Sequence, residues 1–260
     1  MELRRTFNED ALRYDRARPR YPDRMFDDLA AAGLGAGARV LEIGCGTGQA
    51  TVALAGRGYR IVAVELGTDL ADVARRNLAR FDDVEVVTAA FEEWPLPAEP
   101  FDLVFAATSF HWLDPAVRLA KSAAALGPGG ILATVATHHV AGGTEQFFAD
   151  MQDCYERYDP ATPPGLRQSP AEVIPEDDED LGGWFGPATF HRYERDITYT
   201  TAEYVDVLLT YSGTLALPTT QRDRLLECIA QLIDRRYGGT VVKRYLTELR
   251  LAVTRSPGGR

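Results

Sequence analysis

Three glycines at alternate positions, Gly44, Gly46 and Gly48, stand between an apolar run at 40–43 and a helical pattern. Without a Cβ, such a turn bends tightly and lets the backbone come close to a ligand. The spacing is G-x-G-x-G. A dinucleotide turn would place a third small residue at position 49, where this chain has Gln49. Glu42, just before the turn, suits a ligand with an ammonium group and a ribose better than one with two phosphates. Glu65 ends the next apolar run, 19 residues after Gly46. There a carboxylate can accept both hydroxyls of a ribose in charge-assisted hydrogen bonds.

Further along, a fourth apolar run ends in A-A-T-S-F-H-W, residues 106–112. Ligands of open α/β sheets bind beyond the carboxyl ends of the strands, which puts His111 and Trp112 near a reacting group. An imidazole titrating near 6.5 can take a proton at neutral pH. His111 is therefore either a general base or, with Trp112, a substrate-facing wall that moves no proton.

The stretch V-L-E-I-G-C-G-T-G-Q-A-T, residues 40–51, resembles motif I of the class I S-adenosylmethionine-dependent methyltransferases, and Glu65 falls where that family grips the ribose. The resemblance covers residues 36–137, while 138–190 match nothing legible. It implies S-adenosylmethionine as cofactor, S-adenosylhomocysteine as product and a small-molecule acceptor with an oxygen, nitrogen or carbon nucleophile. The alternative is a cofactor-binding protein of the same fold that performs other chemistry or senses the cofactor. Glu42, Gly44, Gly46, Gly48, Glu65, Leu66, Ala90, Phe91 and Ala106 are the implied cofactor contacts. Tyr14 and Arg18, in Y-D-R-A-R-P-R-Y-P, would close over the cofactor, with Arg18 near its methionine carboxylate or the substrate. One position departs from the pattern. The acid that often meets the adenine amino group is Ala90 here, so either Phe91 covers and reads the ring or Glu92 supplies the carboxylate.

Positioning these residues requires alternating strands and helices, the pattern of βαβ units. Strands are expected at 38–44, 60–66, 84–90, 101–109, 131–137, 190–200 and 241–254, and helices at 23–32, 47–57, 68–80, 115–126, 142–158, 201–211 and 218–236. The expected fold is a Rossmann-like α/β sheet of seven strands, mostly parallel, closed by a C-terminal antiparallel hairpin and flanked by helices on both faces. One domain, 1–260, would comprise a cofactor core (36–137), a lid or substrate region (1–35 and 138–190) and a C-terminal part (190–260) that completes the sheet. Residues 159–183 read as a long loop rich in proline and acid.

Bulk properties narrow the partners. The net charge of -10 over 260 residues weighs against nucleic acid. No apolar run approaches the roughly 18 residues a membrane helix needs. The first fifteen residues are polar and mixed in charge, unlike a secretory signal. Cys45, Cys154 and Cys228 lie far apart with no C-x-x-C pair, which argues against a zinc site or a disulfide framework and fits a reducing, cytoplasmic setting.

Overall fold

The computed structural model describes residues 10–255. Among them, seven strands form one sheet: β1 (Arg39–Ile43), β2 (Arg60–Glu65), β3 (Val84–Thr88), β4 (Phe101–Ala107), β5 (Leu126–His139), β6 (Thr189–Thr200) and β7 (Thr240–Val253). Their order is β3-β2-β1-β4-β5-β7-β6. Pairings β1–β2, β1–β4, β2–β3 and β4–β5 are parallel, and the C-terminal hairpin is antiparallel, as the sequence predicts. Nine α-helices accompany them: α1 (Ala11–Ala17), α2 (Asp23–Ala31), α3 (Gln49–Ala55), α4 (Thr68–Leu78), α5 (Arg118–Ala125), α6 (Glu145–Tyr158), α7 (Thr201–Leu208), α8 (Ser212–Ala216) and α9 (Thr219–Arg236). Helix α3 is shorter than its pattern suggests, and α1 and α8 have no counterpart among the expected helices.

The chain divides into two compact units. The larger comprises Arg20–Thr137, Glu176–Tyr193 and the chain from Thr247. Its central strands are largely apolar, because a parallel sheet is covered on both faces, with Glu42 of β1 and Glu65 of β2 as buried exceptions. Side chains alternate between two cores: Leu103 and Phe105 of β4 join one with Met25, Phe26 and Leu54, while Val104 and Ala106 join another with Leu41, Ile43 and Phe185.

The smaller unit comprises the chain up to Pro19, His138–Pro175 and Glu194–Leu246. Leu225, Ile229 and Ile233 of α9 recur every fourth residue and pack with Phe147, Tyr204 and Val241. Helix α7 starts at a capping box, in which Thr200 and Glu203 satisfy each other's backbone amides. Cysteine spacing misleads in this unit. Cys154 of α6 and Cys228 of α9 form a disulfide with Cα atoms 5.9 Å apart, which corrects the expectation of unpaired thiols. The pairing is set by α6 packing on α9, which a separation of 74 residues along the chain does not disclose.

Candidate active site

The glycine turn leaves β1 and enters α3 with Gly44, Gly46 and Gly48 all at positive φ, 68°, 57° and 84°. Close packing enforces glycine at position 44. A Cβ there would lie 2.6 Å from the Ser109 Cβ, well inside van der Waals contact. Ser109 is held by its own hydroxyl, which donates to the Ile43 carbonyl at 2.5 Å. Asn77 of α4 steadies the far side of the turn, its amide donating to the Thr47 carbonyl at 2.9 Å.

Glu65 lies at the end of β2, 7% exposed. Its Oε2 accepts the Gly46 amide and its Oε1 the Gly67 amide, both at 2.8 Å. Burial raises its carboxyl above the ordinary range, and the two glycine amides offset part of that rise. The predicted acid and the predicted turn are thus joined directly. The carboxylate, with about four acceptor sites, keeps capacity for a ligand hydroxyl beside these amides.

Glu42 is 1% exposed, and its Oε2 has no hydrogen-bond partner. Burial pushes its carboxyl up to about 8, with the Thr51 hydroxyl opposing and Glu65 adding to the rise. An orphaned acid oxygen beside a second acid is costly unless a ligand donates to it. Near neutral pH the Glu42 carboxyl therefore keeps its proton, and the cradle offers a ligand the Glu65 oxygens with a neutral acid beside them.

The other implied contacts are placed as follows. Ala106 is fully buried, Leu66 and Ala90 are half-buried, and Phe91 is 3% exposed within the apolar core. The Phe91 ring is thus a packing group, with the Lys121 ammonium 5.2 Å from its centre. Glu92 directs its Oε1 to the Asp114 amide at 3.2 Å. His111 and Trp112 form a 3-10 turn, Phe110–Trp112, with ring centres 4.8 Å apart. His111 is exposed, yet neighbouring protein and then the Arg118 charge lower its pKa, so its imidazole is neutral at pH 7.

Tyr14 and Arg18 belong to the smaller unit. Arg18 lies 5.1 Å from the Tyr14 ring centre and 4.9 Å from that of Tyr211, and it donates to the Thr210 carbonyl at 2.9 Å. Sequence reasoning missed Tyr21, Ser109 and Thr108. Thr108 has φ 54°, the only positive value at a non-glycine among the described residues, and its hydroxyl pairs with Tyr21 at 3.1 Å. The R-P-R-Y-P stretch at 18–22 was the available signal for Tyr21.

An acid-tipped second strand, hydrogen-bonded to a G-x-G-x-G turn in a sheet of this order, defines the class I S-adenosylmethionine-dependent methyltransferase fold. Residues 40–130, which contain the whole cradle, match the family model described as a methyltransferase domain, so this stretch is a domain of that class. An uncharacterised methyltransferase of Mycobacterium tuberculosis (strain H37Rv) is 38% identical over 122 residues, 47% of this chain and 48% of its own length. The chain thus matches about half the length of that relative. An uncharacterised methyltransferase-like protein of Schizosaccharomyces pombe is 26% identical across 89% of this chain and 88% of its own. Among solved structures, a protein of Anaeromyxobacter dehalogenans provisionally described as a type II methyltransferase superposes with a TM-score of 0.64. It is 24% identical over 92% of this chain and 97% of its own, a likeness of fold.

Proposed function

We propose that this protein transfers a methyl group from S-adenosylmethionine to a small-molecule acceptor and releases S-adenosylhomocysteine. The observation that carries the reading is the Glu65 carboxylate, anchored to Gly46 and Gly67 at the end of β2 with lone pairs to spare. The cofactor, when bound, supplies a sulfonium whose methyl group is already a good electrophile.

The chain's own residues then bind, orient and exclude water. Glu65 would hold the ribose diol. The turn backbone at Gly44–Gly48 lets the ligand approach without side-chain obstruction, and Glu42 offers its orphan oxygen to a ligand donor. Leu66 and Ala90, both half-buried, and the Phe91 backbone would line the adenosine end, whereas Ala106, with no exposed surface, packs in the core. His111, neutral and exposed at the end of β4, takes the acceptor's proton where the nucleophile needs one removed. The acidic excess of the chain favours a small acceptor over a polyanion.

Calorimetric titration with S-adenosylhomocysteine tests the reading. Saturable binding is expected, and an absence of heat at millimolar ligand would end it.

A further inference from the structure

The smaller unit buries a cation that its fold leaves unbalanced. Lys243 of β7 is 2% exposed. Its Nζ lies 5.2 Å from the ring centres of both Tyr211 and Tyr245, 5.6 Å from that of Tyr204 and 6.0 Å from that of Phe148. A long contact of 3.4 Å to the Tyr211 hydroxyl is its hydrogen bond. Among the described residues no carboxylate pairs with it, and the charge it feels is a second cation, Arg18, which shares the Tyr211 ring.

Ring faces attract an ammonium but do not neutralise it. A desolvated cation beside another must lose its proton or gain an anion. Burial, with Arg18 adding to it, pushes the Lys243 ammonium down to about 7, so it stands ready for either fate. His139, 5.2 Å from the Tyr211 ring and 5.5 Å from that of Tyr245, is exposed, yet the protein packed around it and these same two cations lower its pKa well below the ordinary value. The hydroxyl of Tyr245 meets those of Tyr199 at 3.1 Å and Tyr211 at 3.4 Å, a linked set of donors.

From this arrangement we infer that the cluster is a binding site for the carboxylate of a small organic acid, with Lys243 as its ion-pair partner and the Tyr211 and Tyr245 hydroxyls as donors. The surrounding rings suit the hydrocarbon body of such an acid and offer nothing to a strongly hydrated inorganic dianion. Apart from Arg18, which the sequence places near the cofactor or substrate, this site uses none of the residues assigned to methyl transfer.

The chain has two lysines, Lys121 and Lys243. Lysine labelled with 13C at the ε carbon therefore gives two side-chain NMR signals. Lys121, which donates to the Glu92 and Trp94 carbonyls at 3.0 and 2.6 Å, is the internal control. The full chain is titrated at neutral pH with benzoate, succinate, neutral benzamide and inorganic phosphate. The expected result is a saturable shift of the Lys243 signal with at least one of the two acids, none with benzamide or phosphate, and an unmoved Lys121. Lys243→Met should weaken binding of that acid by about tenfold or more in calorimetry. A Lys243 signal indifferent to both acids, or equally responsive to benzamide or phosphate, overturns the inference, as does undiminished binding to Lys243→Met. If that variant does not fold, the wild-type titration decides alone. S-adenosylhomocysteine titrated into the same sample reports on the cradle separately.

Discussion

The Oε2 atom of Glu65 accepts the Gly46 amide at 2.8 Å, which ties the tip of β2 to the turn that follows β1. With Oε1 on Gly67, the carboxylate cannot swing, so a ligand meets it without reorganisation. Glu65→Ala should weaken S-adenosylhomocysteine by about 1.5–3 kcal/mol, the worth of a hydrogen bond to a charged group. Glu65→Gln should lose less, since its carbonyl oxygen still accepts. Unchanged affinity in the alanine variant would remove Glu65 from the ribose.

Gly44 and Ser109 occupy one space. Gly44→Ala meets the Ser109 Cβ at 2.6 Å and also places a side chain at φ 68°. A loss of about 2–4 kcal/mol is expected from overpacking and the left-handed backbone together. Adding Ser109→Gly should recover the packing part and leave the backbone part. Urea unfolding of the two variants measures the split, and equal stability to wild type in Gly44→Ala would contradict the geometry.

Stability should fall with rising pH on account of Glu42. Its folded carboxyl titrates at about 8 against an ordinary 4.5, so between these values the unfolded chain releases a proton that the fold retains. The stabilisation is complete below about 4.5, shrinks by at most about 1.4 kcal/mol per pH unit, and is lost once pH passes about 8. Glu42→Gln should flatten this slope and raise Tm relative to wild type in alkaline buffer. Parallel Tm–pH curves for the two proteins would count against the buried acid.

Reduction should loosen the smaller unit. The Cys154–Cys228 bond closes a span of 74 residues, and its removal in Cys154→Ser/Cys228→Ser should cost about 2–4 kcal/mol. Thiol titration under denaturing, non-reducing conditions should count one free cysteine, the buried Cys45. Three reactive thiols would show the bond absent.

His111 gives a kinetic prediction within the methyl-transfer reading. Burial and Arg118 lower its pKa from 6.5, so wild-type turnover should decline only at acid pH, with a midpoint below 6.5. His111→Ala should lose about a hundredfold in turnover and lose that acid limb. Full turnover with the limb intact would make the residue a wall.

Much of the sheet was legible because parallel strands buried on both faces are written as continuous apolar runs, and β1, β2, β3 and β4 begin and end within a few residues of those runs. Strand β5 was foreseen in part, since Gly127, Pro128, Gly129 and Gly130 read as a turn although their backbone joins the strand from Leu126. Helix α8 spans five residues, too few for a period of 3.6 to show. For the cradle, Glu65 and the glycines could be found because their chemistry depends on local spacing. Ser109, Thr108 and Tyr21 could not, because ordinary residues acquire meaning there from what they touch.

By itself the sequence determined which strand ends carry acid and where the chain turns without side chains, and Gln49 in the turn disfavoured a dinucleotide. Those properties follow from residue type and short-range periodicity. Only the tertiary structure decided that Glu65 grips the turn, that Glu42 keeps an orphan oxygen, that Cys154 meets Cys228, and that Lys243 stands among tyrosine rings. Each of these rests on packing between segments far apart in the chain, where burial sets the strength of a charge and the partner of a side chain.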